Sequence, residues 1–214
     1  MSYKLIDIVD SLPRNPKKDV KTRHLEEIKS IVVHTTDDDC TPQALAKYDI
    51  GPNHISPTGC PTITYHEMVM DDGTVYLTLG YDEIGWHTGF INGAAIGIAM
   101  VYKCTNSKGK DEFPPFEKQL VSCEERCGNL CLEFCITPQN IFGHREIEGT
   151  GWNWVDGKKV LRKTCPGLKV DLDLFRQDVT KWLQMVLQDE GLYDGEIDGD
   201  FGPLSKQALQ NYPR

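Results

Sequence analysis

The 214-residue chain reads as an α/β protein ending in a small helical appendage. Three observations predict this. Apolar, β-branched runs such as "SIVVHTT" (30–36) and "AAIGIAMVY" (94–102) have the character of buried strands. Two longer segments, 116–135 and 171–190, repeat apolar residues at helical spacing. After Gly191 the chain becomes a glycine- and aspartate-rich loop, then a short helix opened by Pro203.

In chain order, the first clear strand is 30–36, where Ile31, Val32 and Val33 run straight into His34 and two threonines. A strand normally stops at a turn residue, so a titratable ring there needs a partner, either a hydrogen bond at the strand end or a metal. "TITYHEMVM" (62–70) and "TVYLTL" (74–79) form a strand pair across an Asp-Gly turn, and on strand alternation Tyr65 and His66 face opposite sides. The unbroken apolar run 94–102 suits a central strand. Prolines at 114 and 115 introduce the helix 116–135, and "NIFGH" (140–144) is a short strand that also ends on a histidine, His144. A polar Trp- and Gly-rich loop (146–160) then leads to "RKTCPG" (162–167). In the second helix Leu172, Leu174, Phe175, Val179, Trp182, Leu183, Val186 and Leu187 define the apolar face.

Lys and Arg number 23 against 32 Asp and Glu, a formal charge of −9. That balance argues against nonspecific nucleic-acid binding and against attraction to anionic lipid or wall polymers, so binding to a polymer must come from a specific site. The N-terminal residues lack a basic start followed by an apolar core, and the longest apolar run is too short to span a bilayer. The expectation is a chain made and kept in the cytosol unless another protein releases it, with no stable membrane association.

Without a secretion signal, the eight cysteines are expected to be reduced. Cys123, Cys127, Cys131 and Cys135 recur every four residues and, with Leu120, Leu130 and Phe134, read as a buried helix face using cysteine as a small hydrophobe. At about 1.5 Å rise per residue the outer sulfurs lie roughly 18 Å apart, too far to share one metal. A different triple suits metal chemistry. His34, His144 and Cys165 supply two imidazoles and a thiolate, a set that zinc accepts while keeping a fourth position for water.

In their order and context, "IVVHTT", "TYHEMVMDDGTVY", "GWHTGFINGAAIGIAM", "NIFGHREI" and "KTCPG" resemble the zinc-dependent N-acetylmuramoyl-L-alanine amidases of the phage lysozyme-like type, relatives of animal peptidoglycan-recognition proteins. The resemblance spans roughly residues 30–170. It implies a mixed central β-sheet flanked by helices, with a zinc groove. It makes His34, His144 and Cys165 the zinc ligands, Tyr65 and Lys163 the catalytic helpers, and His87 and Asn92 part of the substrate groove. Two departures stand out: a longer segment between His144 and Cys165 than in the simplest phage members, and Ala99 where some intracellular relatives carry a glutamate. The latter points to the tyrosine-and-lysine version of the site. The chemistry implied is attack on an amide, with zinc activating water and a cation such as Lys163 stabilising the oxyanion.

The tail resembles the small helical peptidoglycan-binding repeat in which "IDGDFGP" links two helices. It also partly follows a calcium-loop pattern through Asp194, Glu196, Asp198 and Gly199, yet Ser205 stands where that pattern needs a glutamate. The implied organisation is an amidase domain at 1–172 and an appendage at 173–214, which either binds the wall or packs on the preceding helix. The expected protein is a monomeric zinc hydrolase acting on peptidoglycan after release from a phage-infected or lysogenic cell by a permeabilising partner. A wall-fragment recycling amidase is the enzymatic alternative, and a non-catalytic peptidoglycan sensor is the alternative of another class.

Overall fold

The computed structural model describes residues 3–105, 110, 113–147, 152–155, 158–161 and 164–214. Its centre is a six-stranded mixed sheet built from β1 (Leu5–Asp7), β2 (Ser30–Thr35), β3 (Glu67–Val69), β4 (Val75–Leu77), β5 (Ala95–Met100) and β6 (Ile141–Gly143), in the order β1-β4-β3-β5-β2-β6. Only β3 and β4 run antiparallel; every other neighbouring pair is parallel. The apolar run of β5 lies between β3 and β2 and is buried throughout, as its composition predicts. The strand predicted at 62–70 is shorter than expected, since residues 62–66 have no strand pairing and β3 begins at Glu67.

Side-chain alternation divides the sheet into two faces. Ile31 and Val33 of β2, with Ile96, Ile98 and Met100 of β5, join one apolar cluster with helices α2 (Glu117–Phe134) and α3 (Leu172–Asp189). The opposite face carries Val32 and His34 of β2 and the small Gly97 and Ala99 of β5. Helix α1 (Pro42–Ile50), which the sequence reading did not assign, starts at Thr41, whose hydroxyl accepts from the Ala44 N–H at 3.2 Å; its Ala46 belongs to a second cluster with Ile63, Met68 and Leu79. Strand β1 was likewise not anticipated.

Helices α2 and α3 approach closely because Gly128 has no side chain: a Cβ there would stand 2.3 Å from the Trp182 ring. Cys123, Cys127 and Cys131 are fully buried in the cluster, as the helical stripe predicts. Cys135 departs from it, because it caps the helix in the left-handed region at φ 53° and is exposed. Leu174 also departs, lying on the outer face of α3 and exposed. Among the described residues no two cysteines form a disulfide. Behind β3, fully buried Glu67 accepts from Arg126 Nε at 2.9 and 3.0 Å and from the Tyr81 hydroxyl.

Asp171 caps α3, accepting from the N–H groups of Asp173 and Leu174 at 3.0 and 3.1 Å. The tail forms the expected loop and a helix α4 (Pro203–Asn211), and Tyr193, Ala208 and Leu209 join the same apolar cluster as α2 and α3. Buried Gln184 is its hub: Nε2 donates to Asp198 Oδ1 at 2.8 Å and to the Asp200 carbonyl at 3.1 Å, while Oε1 accepts from Gly199 N–H at 2.9 Å. An antiparallel hairpin, β7 (Trp152–Val155) and β8 (Lys158–Leu161), lies within the long segment between His144 and Cys165. No helix among the described residues is long and apolar enough to cross a membrane.

Candidate metal centre and groove

The site begins where β2 outlasts β6. Pairing between them ends at Val33 and Gly143, after which His144 opens a short 3₁₀ turn and leaves one edge of His34 and Thr35 unpaired by strand. The Cys165 loop fills that place, with the Thr35 N–H donating to Cys165 Sγ at 3.3 Å. Alternation turns His34 to the groove face, and His34 Nδ1 lies 3.7 Å from Cys165 Sγ. The rings of His34 and His144 are 4.6 Å apart between centroids.

Each of His34, His144 and Cys165 thus offers one donor atom within 4.8 Å of the others. A tetrahedral ion with Zn–N of about 2.05 Å and Zn–S of about 2.3 Å separates nitrogen and sulfur by about 3.6 Å, close to the spacing found here. The set therefore fits zinc in both donor type and reach. His34 Nε2 contacts His87 Nδ1 at 3.0 Å, so an ion on His34 Nδ1 would make Nε2 the donor and His87 the acceptor. Burial, then the neighbouring His66, holds His87 well below the ordinary histidine range, consistent with a neutral acceptor.

His87 fits beneath the site because β5 is bare there. A Cβ on Gly97 would stand 2.8–2.9 Å from three atoms of the His87 ring. His66, by contrast, is spent elsewhere: Nδ1 accepts from Gly97 N–H at 3.0 Å and Nε2 lies 3.0 Å from the Glu83 carbonyl. Burial and the nearby Arg23 lower its pKa to about 3. It is not among the three residues of the cluster, and because it precedes β3 its direction is not set by strand alternation.

A groove of about 780 Å³ opens over the cluster and is lined by Tyr65, Trp86, His87, Thr88, His144 and Cys165, with Asp37, His54 and Thr64 along its walls. Half-buried Tyr65 has its ring 4.9 Å from that of His34. Burial, followed by Cys165, Asp49 and Cys40, pushes its hydroxyl far above the ordinary tyrosine range, so it stays protonated at neutral pH. Asn92 stands behind the lining, where Oδ1 accepts from the N–H groups of His87 and Thr88 at 3.1 and 2.7 Å and from the Thr88 hydroxyl at 2.8 Å. Lys163 lies outside the described residues.

Three contributors escaped the sequence reading. Asp37, at φ 52°, accepts from Cys104 N–H and Thr105 N–H at 3.1 and 3.0 Å and fixes one groove wall. Arg145 binds the loop that carries Cys165. Asp49 Oδ2 accepts from both the Thr64 N–H and hydroxyl at 2.9 Å, and burial raises its pKa to about 6. The acidic "TTDDD" run was visible as a signal for Asp37; the other two depend on contacts distant in sequence.

Fold and site together define a mixed α/β protein with a His₂Cys cluster at the floor of a groove. The profile of the family Amidase_2, N-acetylmuramoyl-L-alanine amidase, matches residues 24–168, and the chain belongs to that family. Solved structures share the fold. The N-acetylmuramoyl-L-alanine amidase LysC from Clostridium intestinale URNW is 20% identical, with 81% of this chain and 95% of that one covered at a TM-score of 0.59. The Ph2119 endolysin from the Thermus scotoductus MAT2119 bacteriophage Ph2119 is 21% identical over 82% and 99% of the two chains, at 0.57. Drosophila PGRP-LB is 19% identical over 77% and 88%, at 0.55. No curated protein matches the chain in sequence.

Proposed function

We propose that this protein is a zinc-dependent N-acetylmuramoyl-L-alanine amidase of the endolysin type, cutting the amide between the lactyl carbonyl of N-acetylmuramic acid and L-alanine. The observation that carries the reading is the convergence of His34, His144 and Cys165 on the groove floor, within the segment matched by the amidase family. Zinc held there supplies Lewis acidity toward water and the scissile carbonyl.

The chain's own residues do the rest. Thr35 N–H holds the Cys165 sulfur, and His87 orients the His34 ring. Tyr65, protonated at neutral pH, donates a hydrogen bond to the carbonyl oxygen as negative charge develops on it. Lys163, two residues before Cys165 in sequence, is the proposed cationic partner in that role. Asn92 keeps the His87–Thr88 segment in place as a groove wall. Residues 173–214 are proposed as the appendage that adds peptidoglycan affinity, in a monomeric enzyme released to the wall from a phage-infected cell.

Recognition without turnover is the second reading, favoured by the fold shared with the peptidoglycan recognition proteins LCa and LCx, whose ectodomain complex is solved with tracheal cytotoxin bound. One experiment separates the two. Purified peptidoglycan incubated with the protein should gain free alanine amino groups and no new reducing sugars, and the protein should carry one zinc that is lost in a His34→Ala, Cys165→Ala double variant. Binding without new amino groups supports the sensor; full zinc content in the double variant rejects the ligand set.

A further inference from the structure

We propose that Arg145 is the positioning residue that preassembles the metal site, by locking the Cys165 loop onto the turn that carries His144. The inference rests on the zinc reading above and assigns a role to a residue that touches neither metal nor substrate.

The geometry is specific. His144 and Arg145 share one 3₁₀ turn, so whatever Arg145 grips is held relative to the His144 ring. Its backbone N–H donates to the Cys165 carbonyl at 2.9 Å. Its guanidinium Nη1 donates to the carbonyls of Gly167 at 2.7 Å and Thr164 at 3.3 Å, and Nη2 to that of Val170 at 2.7 Å. The Tyr102 hydroxyl takes the Pro166 carbonyl. Each carbonyl from Thr164 to Gly167 is therefore bound, two of the four by the half-buried Arg145 side chain and a third by its backbone N–H.

The loop has no strand or helix of its own to keep its shape, because residues 164–171 pair with no strand and precede α3. Without the guanidinium, the Thr164 and Gly167 carbonyls keep only their turn bonds from the Gly167 and Val170 N–H groups, at 2.8 and 3.1 Å, and the loop gains freedom that metal binding must then remove. A planar fork with several donors can satisfy three carbonyls at once, whereas a lysine ammonium is a point donor on a flexible stem. Arg145 thus acts on the metal through Cys165, as supporting residues do around bound metals, where losing one weakens affinity by about 10- to 100-fold.

The test compares the full chain with Arg145→Ala, Arg145→Lys and Leu209→Ala, the last a core truncation in α4 that lowers stability without touching the loop. Zinc affinity is measured by chelator competition, and Cys165 ligation by the thiolate-to-metal charge-transfer band of the cobalt form. Amide exchange of Gly167 and Val170 is followed in the metal-free protein. Arg145→Ala should weaken zinc about 10- to 100-fold, reduce the charge-transfer band and speed exchange at both amides. Arg145→Lys should stay well below wild type, and Leu209→Ala should keep wild-type affinity despite a lower melting temperature. Wild-type affinity with an undiminished band in Arg145→Ala would overturn the proposal, as would full recovery by lysine or an equal loss in Leu209→Ala. If the unaltered protein bound no zinc, the metal reading itself would fall, and with it the role assigned here; unaltered exchange in Arg145→Ala would instead show that the loop needs no lock.

Discussion

Replacing Asp49 by asparagine should reveal a pH-dependent weakness built into the groove wall. Asp49 is 2% exposed on α1, and its Oδ2 holds the backbone N–H and hydroxyl of Thr64, next to Tyr65. Burial outweighs those two bonds and raises the carboxyl from 3.8 to about 6. A carboxyl whose folded pKa is raised favours the folded state while protonated. Its contribution is complete below the unfolded pKa near 4 and is lost as pH rises through about 6. The shift is about two units, so the ionised form costs about 3 kcal/mol at pH 7 relative to pH 4. Asparagine keeps an oxygen for Thr64 and never ionises. The assay is urea unfolding of both proteins at several pH values, with chelator present so that metal binding does not enter. The stability of Asp49→Asn relative to wild type should rise by about 3 kcal/mol between pH 4 and pH 7.5. A difference that stays flat across that interval would refute the reasoning, whatever its absolute size.

Three other outcomes follow from the packing. Glu67→Gln strips fully buried Glu67 of the charge that faces Arg126 and should destabilise the fold by about 3–5 kcal/mol, read by denaturant unfolding; a loss below about 1 kcal/mol would show that the pair is hydrated. Gly97→Ala puts a methyl into the His87 ring and should cost about 1–3 kcal/mol while weakening zinc binding through His34, measured together by unfolding and chelator competition. Truncation before Gly191 should weaken pelleting with insoluble peptidoglycan while leaving cleavage of a soluble muropeptide intact, assayed below the melting point of the shortened chain. That chain should also melt lower, because Tyr193, Ala208 and Leu209 leave the core; unchanged pelleting would mean that the tail only packs.

Local pattern made much of this molecule readable. Alternation along 30–35 separates Ile31 and Val33 from Val32 and His34, and the helical spacing of 172–187 names most of the buried face of α3. The small residues at 97 and 99 were visible too, but their purpose was not. Gly97 matters because the His87 ring, ten residues away in sequence, folds back over it, and no periodicity records such a contact. Short elements were harder still: β1 has three residues and α1 nine, so neither carries enough repeats of a period to stand out from a loop. Cys135 followed the spacing of its neighbours and still left the core, because the helix ended one residue earlier.

For the candidate site, the sequence by itself determined the donor types and their local setting: a histidine directly after the apolar run of one strand, another directly after a second short strand, and a cysteine before a Pro-Gly turn. Those are chemical and local properties, set by the residues and their immediate neighbours. Only the tertiary structure decided that these donors meet. The meeting depends on a parallel register in which β6 stops two residues short of β2, on His87 packed over a bare stretch of β5, and on Arg145 gripping the loop beside it. Each joins residues far apart in the chain, and such contacts form only when the whole sheet and its two helices close around a shared core.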